Sequence, residues 1–293
     1  MNSRRTRAIA SAIGLMVVWG STFAITKASV VEIPPLALSA LRFLIAAAVL
    51  IPIVMARGGL ANIPRPLPLG PLALMALTGV AIFHVGFNYA LLYGSASQGA
   101  IVFALVPAAI ALAAVTFLRE RPSPRRIAGM VLSFAGVALV VAAGRGGAAS
   151  PNPLLGALWM LLGVAAWAIY TVVAKRLAGM DQVVVIAGTS AIGAAMLIPA
   201  AIVELWNRPL PNPTPRGWLG ALFLGVVASA IAFVVYSRIL RELEASLVGV
   251  FMNLDPIVGV LVAVLFLGET LTPRQIIGGV IAVAGMWLSA AEG

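Results

Sequence analysis

The reading of this chain turns on Pro107–Gly136, PAAIALAAVTFLRERPSPRRIAGMVLSFAG, set against Pro256–Gly285, PIVGVLVAVLFLGETLTPRQIIGGVIAVAG. Pro107, Glu120, Pro124, Gly129 and Gly136 return as Pro256, Glu269, Pro273, Gly278 and Gly285, each displaced by 149 positions. Phe117-Leu118-x-Glu120 recurs as Phe266-Leu267-x-Glu269. Upstream, the pair Trp19 and Lys27 recurs as Trp167 and Lys175, displaced by 148, so one indel separates the two blocks. One unit has been used twice, over residues 1–146 and 147–293, joined around Gly144–Pro153.

The composition says where that unit lives. Hydrophobic residues make up 62% of the chain and charged ones 10%, against about 45–50% and 25% in a soluble domain. A mean hydropathy of +1.08 leaves more apolar surface than a soluble core can hide. Apolar stretches of spanning length read as Ala8–Val30, Leu36–Ala56, Leu72–Leu92, Ser97–Leu118 and Arg126–Ala143. The second unit supplies Leu154–Ala174, Val183–Val203, Trp218–Ser237, Ser246–Leu267 and Gln275–Ala290. No strand alternation is visible, and a backbone crossing lipid must satisfy its own hydrogen bonds, so helices are expected. Arg4, Arg5 and Arg7 before the first run imitate a signal peptide. However, a cleaved leader has no reason to share its Trp-Lys pattern with an internal helix, so retention is expected.

Each unit holds an odd number of spans, so the second must enter from the face opposite to the first: the repeats are inverted. Arg4, Arg5, Arg7, Arg57, Arg65, Arg119, Arg121, Arg125, Arg126, Lys175, Arg176, Arg238 and Arg241 then share one face. Lys27, Arg42, Arg145, Arg208, Arg216 and Arg274 fall on the other. The excess predicts that both termini are cytoplasmic. The net charge of +10 is dispersed in these short clusters, so anionic lipid rather than nucleic acid is the expected partner. With no cysteine and one histidine, disulfides and zinc sites built on cysteine or several histidines are excluded. No phosphate-binding Gly-x4-Gly-Lys-Ser/Thr loop is present, so a gradient rather than ATP is the expected energy source.

These residues carry a family likeness. Trp19-Gly-Ser-x-Phe23, Lys27, Arg42-Phe43, Pro107, Leu118-x-Glu120 and Gly129, with Trp167, Lys175, Pro256, Leu267-Gly-Glu269, Thr272-Pro273 and Gly278, resemble the EamA group of the drug/metabolite transporter superfamily. The resemblance covers nearly the whole chain. It implies an all-α polytopic membrane protein: ten transmembrane helices in two inverted five-helix repeats around a central cavity. It also implies export of amino acids, metabolites or drugs from a bacterial inner membrane, with bacterial aromatic amino-acid exporters the nearest likeness. The second unit lacks the Arg42-Phe43 pair; Gly188–Ser190 stands there.

Repetition also sorts the candidate functional residues, because a polar group present in one copy alone is more telling than one present in both. Pro107 and Pro256 should kink two spans and serve either packing or a hinge for alternating access. Ser123-Pro124 and Thr272-Pro273 read as helix starts. Two inter-repeat ion pairs are expected, Lys27–Glu269 and Lys175–Glu120. Asp255 has Val106 as its counterpart. A carboxylate costs at least about 2.5–3.5 kcal/mol in mid-membrane, so Asp255 should face a wet cavity or a partner, beside Asn253. His84 and Asn88 share a helix face, with Tyr89 and Tyr93 next to them. The deep aromatics Trp19, Phe23, Phe83, Trp159, Trp167 and Tyr170 suit an apolar pocket, whereas Trp206 and Trp218 read as interfacial belt residues. The cavity is accordingly expected to be lined by Trp19, Phe23, His84, Asn88, Tyr89, Trp167, Tyr170, Asn253 and Asp255, with no cofactor and no metal. Two rivals remain: a lipid or lipid-linked-sugar flippase with a sideways opening and a basic rim, and an intramembrane enzyme in which His84 activates Ser95 or Ser97.

Overall fold

The computed structural model describes residues 3–58, 67–118, 123–143, 150–177, 179–207, 212–242 and 251–290. Among the described residues, eight helices are long and apolar enough to cross a membrane; the shorter Leu254–Leu267 and the terminal Pro273–Ala290 fill the remaining two expected spans. Prolines begin five of these helices: Pro35, Pro124, Pro153, Pro215 and Pro273. Proline is favoured there because the first turn has no intrahelical acceptor for its N–H. Ser123 and Asn152 cap the following turns through Arg126 N and Leu155 N. Thr272 and Gln275 form a reciprocal box, Thr272 N donating to Gln275 Oε1 and Gln275 N to Thr272 Oγ1. Much of the helix surface that points outward is large and apolar, including Phe266, Leu265, Leu219 and Val131. Lipid is the medium that such a surface requires.

Among the contacts between the two copies, spans five (Pro124–Ala142) and ten (Pro273–Ala290) pack most extensively. A Cβ on Gly129 would strike Gly285 and Ser289, and one on Gly136 would strike Gly278 and Ala282. Falling contact numbers along span ten for rising numbers along span five make the helices antiparallel. Equivalent residues swap partners: Gly129 packs on Gly285 as Gly278 packs on Gly136. Ser133 Oγ donates to the carbonyl of its own counterpart, Ala282, at 3.1 Å. A two-fold relation perpendicular to the helices produces this pattern, and small residues permit the close backbone approach.

Two irregularities also occur in both copies. Span four breaks at Ala104-Leu105 between helices Ala96–Phe103 and Val106–Leu118, where Ala104 N and Leu105 N fall back on carbonyls three residues earlier. Pro107 cannot donate to Phe103 O and its ring crowds that carbonyl. Span nine breaks at Asn253, three residues before Pro256, for the same reason. Spans three and eight each contain a π-helical stretch, Ala76–Ile82 and Phe223–Ile231. The sequence holds no signal for them, since widening a helical turn requires no particular residue type.

Candidate functional site

Residues at or just beyond the irregular stretches of spans three, four, eight and nine help to wall one internal cavity. Span one (Ser3–Ser29) contributes Trp19, Thr22 and Phe23; the region after the first π stretch gives Phe83, His84 and Phe87. Phe103 and Met252, the residues whose carbonyls the two prolines displace, face it as a symmetric pair. Trp167, Phe233, Arg42 and Asp255 complete the wall. The rings hold one another: Phe23 lies 5.0 Å from Phe87 and 5.6 Å from Phe103, and Phe83 lies 4.9 Å from Trp167.

The π stretches explain how the polar edges are satisfied. A π turn releases carbonyls from the helical ladder. Trp19 Nε1 donates to Ala228 O at 3.1 Å, inside the second stretch. His84 Nδ1 lies 3.1 Å from Gly79 O and 3.2 Å from Val80 O, inside the first. Carbonyls only accept, so Nδ1 carries the hydrogen. The imidazole is further clamped edge-on by Phe43 at 4.5 Å and Phe83 at 4.6 Å. Arg42 Nε donates to Ser229 Oγ at 2.7 Å, again within the second stretch. Asp255 Oδ1 is buried and has no hydrogen-bond partner among the described residues.

The volume is about 60 Å³. That accommodates a few water molecules and no amino acid, so a solute of that size requires the aromatic wall to part.

Not every expected lining residue faces this space. Asn88 instead donates to Pro35 O at 3.0 Å and Ser39 Oγ at 2.8 Å in span two (Pro35–Ala56). It sits one turn beyond His84, where span two is close enough to use the amide. Tyr89 points away, stacking on Trp159 at 4.9 Å and donating to Glu204 Oε1 at 3.1 Å. Tyr170 stacks on Trp167 at 4.8 Å and borders a smaller adjoining hollow of about 10 Å³ with Thr189 and Ser190. Asn253 is buried at the break of span nine, outside the lining. Arg42, placed by charge counting with the face opposite the cytoplasm, is a buried cavity residue instead. Position along a span, rather than charge alone, decides where a cation goes.

One end of the bundle is closed by carboxylates set on helix starts. Glu269 Oε1 accepts from Ala96 N at 2.7 Å and its Oε2 from Ser97 N at 2.9 Å. Ser95 Oγ takes Gln98 N, and Ser95 O takes Gly99 N, so the first four N–H groups of this helix are all satisfied. Lys27 Nζ donates to Gly94 O at 2.7 Å, at the C-terminus of the preceding helix, with the Glu269 charge as its electrostatic neighbour. Cation at one helix end and anion at the next complement both dipoles. Glu204 Oε2 similarly accepts from Leu36 N and Ala37 N, and Glu32 Oε2 from Thr214 N and Oγ1. Neither Glu32 nor Glu204 stands out in the sequence, because a cap supplied by a distant helix leaves no local pattern. Lys175 is exposed on a short 3-10 turn; its expected partner Glu120 lies outside the described residues. The imidazole of His84 bonds neither Ser95 nor Ser97.

The EamA-like transporter family model matches this chain twice, over residues 6–142 and 154–291. The chain belongs to the EamA-like transporter family. Among curated relatives, an "uncharacterized transporter" of Archaeoglobus fulgidus is 30% identical across 94% of this chain and 95% of its own. The "uncharacterized inner membrane transporter YedA" of Escherichia coli K12 is 27% identical across 88% and 82%. A solved crystal structure superposes with a TM-score of 0.69 at 26% identity, covering 97% of both chains. The chain is thus a multi-pass membrane transporter by family.

Proposed function

We propose that this transporter exports small amphipathic solutes, amino acids with aromatic side chains foremost, by alternating access at the cavity walled by Trp19, Phe23, Phe83, Phe103, Trp167 and Phe233. The observation that carries this reading is the site's make-up: an aromatic box holding one guanidinium and one carboxyl group in the heart of a membrane protein. Intramembrane ionisable groups mark solute and ion pathways, and aromatic walls suit an apolar side chain. The small volume supports a contracted state, with the carboxylate-closed end on the outer side of an inner membrane and both termini in the cytoplasm. Pro107 and Pro256 then act as hinges, because the breaks they impose lie beside Phe103 and Met252 in the cavity wall. The flippase alternative calls for a basic rim, which the large cleft between spans nine and ten lacks among the described residues. It measures about 550 Å³ and is lined by apolar residues and Gln275, with no lysine or arginine among the described residues. The test is counterflow in proteoliposomes holding only this protein. Labelled phenylalanine should accumulate against preloaded unlabelled phenylalanine, tyrosine or tryptophan, and not against preloaded glutamate. Equal exchange for every amino acid, or none for the aromatic ones, would defeat the reading.

A further inference from the structure

The cavity wall carries an arginine and an aspartic acid that do not pair with each other; the Arg42 guanidinium stands over the Phe43 ring at 5.8 Å. Arg42 is 6% exposed and Asp255 8% exposed, each on a different repeat. The guanidinium uses only its Nε in hydrogen bonding, to Ser229. Its two terminal nitrogens, four N–H donors, have no partner among the described residues, and the side chain lines the cavity. Asp255 Oδ1 is likewise unpartnered. Buried ionisable groups normally pair with one another or with the backbone. Here both reach the same small space and neither neutralises the other. The only other ionisable residue on that wall is His84, whose Nδ1 is committed to Gly79 O and Val80 O.

We propose that Arg42 and Asp255 form a two-ended clamp that makes the cavity selective for zwitterions, Arg42 taking a solute's carboxylate and Asp255 its ammonium group. A planar fork with free terminal nitrogens is matched to a carboxylate, and a carboxyl with a bare oxygen is matched to an ammonium. The aromatic rings of the same wall suit the apolar side chain; their faces attract cations, so discrimination against a bare amine falls to Arg42. A solute bearing only an amine presents a second cation to Arg42; one bearing only a carboxylate presents a second anion to Asp255. A zwitterion alone answers both. The second repeat has neither an arginine where Arg42 stands nor, in the first, a carboxylate where Asp255 stands, so symmetry does not force either group. Each is a departure from the shared scaffold, and the two departures converge on one space.

This inference rests on the cavity being the transport site. It is tested with three probes sharing one phenyl-ethyl body: phenylalanine, phenethylamine and 3-phenylpropanoate, in counterflow with the purified full-length protein. Wild type should prefer phenylalanine at least about tenfold over both, the factor expected for one charged hydrogen-bond partner. Arg42→Gln should lose that preference in favour of phenethylamine, and Asp255→Asn in favour of 3-phenylpropanoate. Arg42→Lys and Asp255→Glu should each recover part of it. Ser229→Ala keeps both charges and releases only the Nε contact; it should weaken phenylalanine and 3-phenylpropanoate while sparing phenethylamine, even if the charge variants do not fold. Parallel loss of all three probes in monodisperse Arg42→Gln and Asp255→Asn proteins, or no effect of Ser229→Ala on any probe, would overturn the clamp and leave the exporter reading standing. Wild-type protein that carries none of the three probes would instead remove the amino-acid reading, and the clamp with it.

Discussion

Replacing Glu269 by glutamine tests whether the carboxylate-closed end works as a gate. The wild-type carboxylate accepts two backbone N–H groups, Ala96 at 2.7 Å and Ser97 at 2.9 Å, while 8% exposed. The amide keeps one acceptor oxygen and turns a donor NH2 toward the other N–H. One buried N–H is then unsatisfied, which costs about 2 kcal/mol, and the anion at a helix N-terminus is lost, about 1 kcal/mol more. Together this is on the order of 3 kcal/mol, or roughly a hundredfold in an equilibrium constant, provided the contacts break when the gate opens. The chain has no cysteine, so Thr26→Cys, at a fully buried position next to Lys27 in span one, reports opening without background. A membrane-impermeant thiol reagent added from outside should label Thr26→Cys up to about a hundredfold faster when Glu269→Gln is also present. An unchanged labelling rate with a lowered melting temperature would show that Glu269 braces a joint that stays shut, and would refute the gate.

Gly136→Leu should lower the melting point sharply or abolish monodisperse protein, because a Cβ there meets Gly278 O at 2.6 Å and overpacking costs about 1–3 kcal/mol or more. Gly14→Leu, where nothing lies within 4 Å, should melt like wild type. Trp19→Phe leaves a smaller aromatic ring and removes the donor to Ala228 O; it should cost about 1 kcal/mol or more of stability in thermal melts, the lost hydrogen bond plus the space the indole filled, and slow counterflow several-fold. A reporter fused after Gly293 should read cytoplasmic, and a periplasmic reading would reverse the assigned gate.

The spans, their number and the doubling were legible because they rest on run length and on residues repeated at one offset. Asp255 was legible for a related reason: a lone carboxylate in an apolar run has few places to go. The sequence was silent on geometry that departs from a regular helix. The π stretches at Ala76–Ile82 and Phe223–Ile231 accompany the turning of His84 toward the cavity and of Ser229 toward Arg42, and no residue type announces them. Regular 3.6-residue spacing put Asn88 and Tyr89 beside His84, yet each turn of span three meets a different neighbour, so one faces Ser39 and the other Glu204. Arg42 was misplaced because counting charges by face assumes that every cation in a span's outer half reaches that surface.

The claim that everything else depends on is that solute passes through the aromatic cavity. Thr22 lines it, and its hydroxyl donates to Trp19 O within its own helix, with no bond to another helix among the described residues. Thr22→Cys in proteoliposomes, labelled with a small thiol reagent during phenylalanine counterflow, tests that claim most directly. Labelling should stop counterflow, and saturating phenylalanine should protect the thiol. Full transport by completely labelled protein would contradict it.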